Sequence, residues 1–313
     1  MSAGKMTKND EQNTFEDKIE LRAIRDGSRT IAFSTAGDSD GDPVLYWYPG
    51  GGNRRLLLSY HKAAIEASLH LICVNRPGMG GTSLASGRSP ADHTSTACED
   101  AIAVLDFLGV GQVNLLFMCA GAPFALAFAS RYPTRLSGQL VGIAPYVLPA
   151  DCVATKALHR FGACHCPIWL SSHAASSVTS SMMGSFSSLP DSLIKSSMLS
   201  PLSPEEREVF DNQIGEEDFL LRAAWMFEET GSRTADFAVL MSRGEDLGFK
   251  YGKINGNLTV FNGENDKMVP IGAAEWLTQQ IEPSSLIRLS GGSHEGALFL
   301  VHPDVKDALK ILK

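Results

Sequence analysis

An α/β architecture, a mostly parallel eight-stranded sheet with helices on both faces, is predicted by three observations. Strand-length apolar runs alternate with helical patterns from Pro43 to Pro145. The runs are apolar at consecutive positions rather than alternate ones, as expected for strands buried on both faces. The same rhythm returns near Gly256 and continues to the C-terminus.

The elements follow in order. IELRAI and RTIAFSTAG are strand-like and separated by Arg25-Asp26-Gly27-Ser28 turn chemistry, which predicts a hairpin. PVLYWY (43–48) is a bulky strand ending in Pro-Gly-Gly-Gly. LLLSYHKAAIEAS has a helical pattern, and HLICVN (70–75) is another strand. Residues 93–108 carry apolar positions at helical spacing and stop before Gly109. QVNLLFM (112–118) predicts a strand, AGAPFALAFASRY a helix rich in small residues, and SGQLVGIAP one more strand. After the interruption, NLTVFNGENDKMVP reads as strand plus loop, IGAAEWLTQQI as a helix and SLIRLS as a strand. A last helix should end in DALKILK.

These runs divide the chain. Residues 1–18 read as a disordered polar tail, and 19–145 with 253–313 form the core. The interrupting segment, 146–252, differs in composition. It holds a Ser- and Met-rich stretch from Ser171 to Pro204, then the acidic helical piece EEDFLLRAAWMFEET. Its position between two strands of the core predicts a helical lid over a pocket.

Bulk properties exclude several classes. The chain has 313 residues, 44% hydrophobic and 20% charged, enough for a sizeable core. The net charge of −8 argues against a nucleic-acid partner, because phosphate binding needs a basic footprint. No run reaches the length of a membrane span, and the N-terminus lacks the apolar stretch of a signal peptide. Six scattered cysteines do not have the spacing of a disulfide scaffold, so a reducing cytoplasm is expected.

The chemistry-bearing residues lie at strand ends. Cys119 follows the strand QVNLLFM and opens a helix, where the positive helix end favours a thiolate. Asp266, in GENDKMVP, and His294, in GGSHEG, follow two later strands. Nucleophile, acid, histidine is the chain order of one acyl-transfer triad. Asp266 would fix the imidazole tautomer, and His294 would take the thiol proton. Each residue also has a plain structural reading: a buried small side chain, a turn aspartate and a solvated loop histidine. Asp151 is an alternative acid. The loop YPGGGNRR supplies glycines whose N–H groups can face a developing oxyanion, and Gly50 with Ala120 are the candidate donors. Cys152, His159, Cys164, His165, Cys166 and His173 raise the possibility of zinc, but they lack a second Cys-x-x-Cys pair. No metal and no cofactor are expected.

From about 19 to 313 the chain resembles the α/β-hydrolase superfamily. PVLYWYPGGGNRR resembles its strand and oxyanion loop, with Tyr48 and Pro49 replacing His-Gly. NRPGMGGTS resembles its Asp-Arg-Pro-Gly-x-Gly-x-Ser turn, with Asn75 replacing Asp. At the nucleophile elbow, FMCAG departs from Gly-x-Ser-x-Gly, with Phe117 for the first glycine and Cys119 for serine. Cysteine nucleophiles in this superfamily occur in dienelactone hydrolases and in some stand-alone fungal polyketide-releasing thioesterases and cyclases. The size and lid are more similar to the second group.

That resemblance implies acyl transfer through a cysteine acyl-enzyme, releasing a carrier-bound polyketide thioester by lactonisation or hydrolysis. An acyl carrier protein is then a partner, with Arg54 and Arg55, or Arg131 and Arg135, as a local basic patch on an acidic protein. Two alternatives stay open. One is a cysteine-dependent esterase or lactone hydrolase acting on a free small molecule. The other is a non-catalytic ligand-binding protein that kept the pocket.

Overall fold

The computed structural model describes residues 20–187, 193, 196, 199–213, 234–305 and 307–313. The polar tail, the part of the Ser- and Met-rich stretch from 188 to 192 and the piece EEDFLLRAAWMFEET lie outside these residues. Eight strands form one sheet: β1 (Glu20–Asp26), β2 (Arg29–Gly37), β3 (Asp42–Trp47), β4 (Leu69–Val74), β5 (Val113–Met118), β6 (Leu136–Ile143), β7 (Asn257–Gly263) and β8 (Ser284–Leu289). Their order is β1-β2-β4-β3-β5-β6-β7-β8. The β1–β2 and β2–β4 pairs are antiparallel, and the remaining pairs, from β4–β3 to β7–β8, run parallel. The predicted hairpin is therefore the antiparallel edge of the sheet.

Alternate side chains of a strand point to opposite faces, and here both faces are covered. Leu45, Trp47, Leu115 and Phe117 join one apolar cluster, with residues of α2 (Pro90–Phe107), α3 (Ala122–Arg131) and α8 (Ile271–Gln280). Val44, Tyr46, Leu116 and Met118 join another, with α1 (Leu58–Glu66) and the C-terminal turn Ala308–Leu312. Double burial is why these strands read as continuous apolar runs.

Helix boundaries differ from the expected ones for local reasons. Helix α2 begins at Pro90 rather than His93, because Ser89 and Asp92 form a reciprocal capping box with Pro90 in the first turn. The expected long C-terminal helix is instead short α9 (His294–Leu298) and a separate 3-10 turn, Ala308–Leu312. Pro303 lies between them and cannot continue a helix.

Between β6 and β7 lie α4 (Ala157–His165), α5 (Ile168–Ser187), α6 (Pro204–Gln213) and α7 (Thr234–Leu240). Helix α7 packs on both α5 and α2, and α6 carries Phe210 onto Phe299 and Val301 beyond α9. Among the described residues no helix is long and apolar enough to cross a membrane.

Candidate active site

The C-terminal ends of β5, β7 and β8 lie on the same edge of the sheet, and each is followed by one of the three singled-out residues. Cys119 begins a 3-10 turn directly after β5 and has a φ of 44°. A non-glycine residue in this left-handed region is strained, so the surrounding structure must hold it there. Two glycines relieve the crowding. A Cβ at Gly121 would fall 2.2 Å from the Trp47 carbonyl oxygen. Phe117, which replaces the expected elbow glycine, pairs in register with Gly142 on β6. A Cβ there would fall 2.6 Å from Phe117 Cε2, so the glycine stands on the neighbouring strand instead.

The acid and histidine loops run side by side, with Asn265 N–H donating to the Gly292 carbonyl at 3.0 Å. Asp266 Oδ1 accepts the N–H groups of Met268 and Val269, both at 2.7 Å, which fixes the carboxylate plane. Its Oδ2 lies 2.7 Å from His294 Nδ1. A carboxylate can only accept, so Nδ1 carries a proton and donates. Cys119 also acts on this ring electrostatically. Burial pushes the His294 ring toward neutrality. The Cys119 sulfur and the Asp266 carboxylate outweigh it and raise the pKa to about 10.

His294 is the first residue of α9, whose N-cap Ser293 accepts the Gly296 N–H at 2.9 Å. Glu206 of α6 is fully buried behind this turn. Its carboxylate accepts Ser293 N–H at 3.0 Å, Ser293 Oγ–H at 2.8 Å and Ser203 N–H at 2.9 Å. Tyr60 of α1 donates to the Leu298 carbonyl at 2.9 Å and fixes the other end of α9.

Gly50 and Ala120 are neighbours: a Cβ at Gly50 would sit 3.3 Å from that of Ala120. They line a small cavity of about 20 Å³ together with Gly51, Arg76, Phe124, Asp236, Phe237 and Leu240. That is room for about one water molecule. Asn75, the residue found where the superfamily motif has Asp, accepts Arg54 N–H at 2.7 Å and so holds the glycine loop from behind.

Other singled-out residues lie elsewhere. Asp151 accepts Gly244 N–H at 2.8 Å and the Tyr251 hydroxyl at 3.1 Å, while the carboxylate on His294 is that of Asp266. Burial raises the Asp151 carboxyl above its ordinary range. His159 packs near the Tyr146 ring and His173 Nδ1 lies 2.6 Å from the Trp169 carbonyl. Among the described residues, no three His, Cys, Asp or Glu side chains gather as metal ligands would. All six cysteines are free thiols. Arg54, Arg131 and Arg135 each donate to backbone carbonyls, of Phe33, Leu247, and Gly111 with Val110 respectively.

A solved α/β-hydrolase-fold protein from Nakamurella multipartita aligns over 94% of this chain and 99% of its own, with a TM-score of 0.62 at 23% identity. The fold is that of the α/β-hydrolases. An epoxide hydrolase from Vigna radiata, VrEH1, shares it over 94% of this chain and 97% of its own (TM-score 0.64, 14% identity). In sequence, the uncharacterized hydrolase YcgS of Bacillus subtilis (strain 168) is 34% identical over 120 residues. Those residues are 38% of this chain and 40% of YcgS, so the match spans less than half of either protein. No family model matches the chain.

Two features of this α/β-hydrolase fold escaped sequence reasoning. Glu206 did leave a trace, because Ser203-Pro204-Glu205-Glu206 has capping-box spacing and Glu206 caps Ser203. The buried set Arg76, Asp236 and His93 left none. Its members are far apart in sequence and meet only when α7 packs on α2.

Proposed function

We propose that Cys119, His294 and Asp266 form a catalytic triad for acyl transfer through a cysteine acyl-enzyme. The observation that supports this reading is the His294–Asp266 pair at 2.7 Å, placed with Cys119 at the C-terminal ends of β8, β7 and β5 on one edge of the sheet. Raised proton affinity suits His294 to taking the thiol proton of Cys119. The thiolate adds to the substrate carbonyl carbon, and the C=O electrons move onto oxygen, where Gly50 and Ala120 N–H groups stabilise the charge. Collapse expels the leaving thiolate or alkoxide, which takes the His294 proton. The neutral ring then accepts a proton from water or a substrate hydroxyl, whose oxygen attacks the Cys119 thioester and releases acid or lactone.

The donor class we propose is an acyl thioester, with release of a carrier-bound polyketide by lactonisation or hydrolysis. Sulfur supports this choice. Exchange of one thioester for another is nearly thermoneutral, so the acyl group stays activated for an internal hydroxyl. Holding that hydroxyl against the acyl carbon can remove up to about 7–11 kcal/mol of barrier. A second reading is a cysteine-dependent hydrolase of free small esters or lactones. The cavity beside Gly50 and Ala120, about 20 Å³, holds about one water, so a donor of either kind requires it to widen. The hydrolase named among the relatives agrees with either reading.

The test is incubation with acyl-N-acetylcysteamine thioesters carrying a distal hydroxyl, and in parallel with small lactones. Intact mass should show an acyl adduct that Cys119→Ala abolishes, and product analysis should show acid or lactone. Adducts from lactones alone would select the second reading. No adduct with any acyl donor would leave a ligand-binding protein.

A further inference from the structure

We infer that Arg76 is a positioning residue for the oxyanion site, held by Asp236 of α7, that orients the Pro49–Gly50 peptide. The inference rests on the triad reading above and concerns how its N–H donors are aimed.

Arg76 follows β4 and is 2% exposed, although nothing in the proposed chemistry consumes its charge. Its guanidinium lies 4.0 Å over the Tyr48 ring and 4.9 Å from the Phe124 ring. Its Nε is 3.0 Å from Asp236 Oδ2, and the other oxygen of Asp236 is 2.8 Å from His93 Nε2. Desolvating such a group is expensive unless it is paired, so the pair accounts for its burial. It does not account for where the rest of the fork points. Nη2 donates to the Pro49 carbonyl at 3.1 Å, and Nη1 lies 3.5 Å from the Ala120 carbonyl.

The Pro49 carbonyl belongs to the same planar peptide as the Gly50 N–H. In a trans peptide the C=O and N–H point in opposite directions, so pinning the oxygen fixes the direction of the donor. Its charge also polarises that peptide and strengthens the N–H as a donor. The second donor has a matching arrangement. Ala120 N–H shares its peptide with the Cys119 carbonyl, which accepts the Tyr146 N–H at 2.9 Å. Both donor peptides are thus held by their oxygens, the Cys119 carbonyl by Tyr146 N–H and the Pro49 carbonyl by Arg76 together with Gly52 N–H at 3.2 Å. The Gly52 N–H closes a turn on this carbonyl, and Arg76 adds the charged contact that polarises it. Because Asp236 sits on α7, the aim of the Gly50 N–H depends on the docking of that helix against the core.

Two reagents separate aiming from mere integrity of the site. p-Nitrophenyl acetate acylates a thiolate through a tetrahedral oxyanion, whereas iodoacetamide alkylates it by displacement with no oxyanion. Acylation of Cys119, followed by intact mass and nitrophenolate burst, should fall about 10²–10³-fold in Arg76→Met. Alkylation of the same thiol should stay within about threefold, since the nucleophile and its histidine are untouched. Arg76→Lys, which keeps a charge and a donor, should recover part of the loss, and Asp236→Asn should lie between Lys and wild type. Should Arg76→Met fail to fold by thermal melting, Asp236→Asn and Arg76→Lys carry the comparison. Equal acylation across the series, or parallel loss of acylation and alkylation, would overturn the role of Arg76 while leaving the triad intact. A wild-type protein that alkylates but never acylates at Cys119 would overturn the triad reading, and this inference with it.

Discussion

Asparagine at position 266 removes one charge and leaves the shape of the side chain, which isolates what the carboxylate does for His294. Asp266 uses Oδ1 for two backbone N–H groups and Oδ2 for the ring, three bonds of 2.7 Å in all. An asparagine has one acceptor oxygen. If it keeps the backbone pair, its NH₂ group faces Nδ1, and the ring must carry its proton on the nitrogen facing sulfur. His294 is raised from 6.5 to about 10, against the opposing effect of burial, by four influences, two from Cys119 and two from Asp266. Among these influences the largest comes from Cys119, and Asp266 supplies two of the four. Asp266→Asn should lower the proton affinity of the ring about tenfold or more, as expected when an adjacent opposite charge is lost. The sign for stability follows from linkage. A raised histidine contributes stability that is complete below 6.5 and is lost as pH rises through about 10. In the variant that loss should be complete at lower pH. The assay is an NMR titration of ¹⁵N-labelled histidine, with thermal melts from pH 6 to pH 10. Acylation of Cys119 by p-nitrophenyl acetate should drop about 10³–10⁴-fold, as expected when a triad loses its acid. A wild-type His294 midpoint near 6.5, or a midpoint that does not move in Asp266→Asn, would refute this account of the charges.

Two other substitutions probe the scaffold. Gly121→Ala places a Cβ 2.2 Å from the Trp47 carbonyl oxygen, a backbone atom that cannot swing aside. The elbow must shift by about 1 Å, which should cost about 1–3 kcal/mol in denaturant unfolding and about 10²-fold in Cys119 acylation. A variant matching wild type in both would mean the elbow is pliable. Glu206→Gln turns one acceptor oxygen into a donor facing two donors, Ser293 Oγ–H and Ser203 N–H. The hydroxyl can rotate but the N–H cannot, so about 1–3 kcal/mol of stability should be lost at pH 7. Unchanged chemical denaturation of this variant would show that Glu206 does not anchor α6 to the histidine turn.

The sequence by itself determined the α/β alternation and the placement of Cys119, Asp266 and His294 after three of its strands. Both are local properties. A strand buried on both faces must be apolar throughout, and a residue after such a strand must lie at its C-terminal edge. Departures were legible as departures only: FMCAG showed that a glycine was missing, not that Gly142 stood across from Phe117 to replace it. The C-terminal pattern misled for the same local reason, since apolar spacing does not register where Pro303 divides the segment. Sequence pattern favoured Asp266 over Asp151 as the acid, and the tertiary structure sets Asp266 Oδ2 2.7 Å from His294 Nδ1 while Asp151 accepts from Gly244 and Tyr251. Tertiary structure alone decided the burial of Arg76 with Asp236 and His93. A charge can leave water only where a partner from a distant segment arrives with it, and sequence spacing carries no record of that arrival.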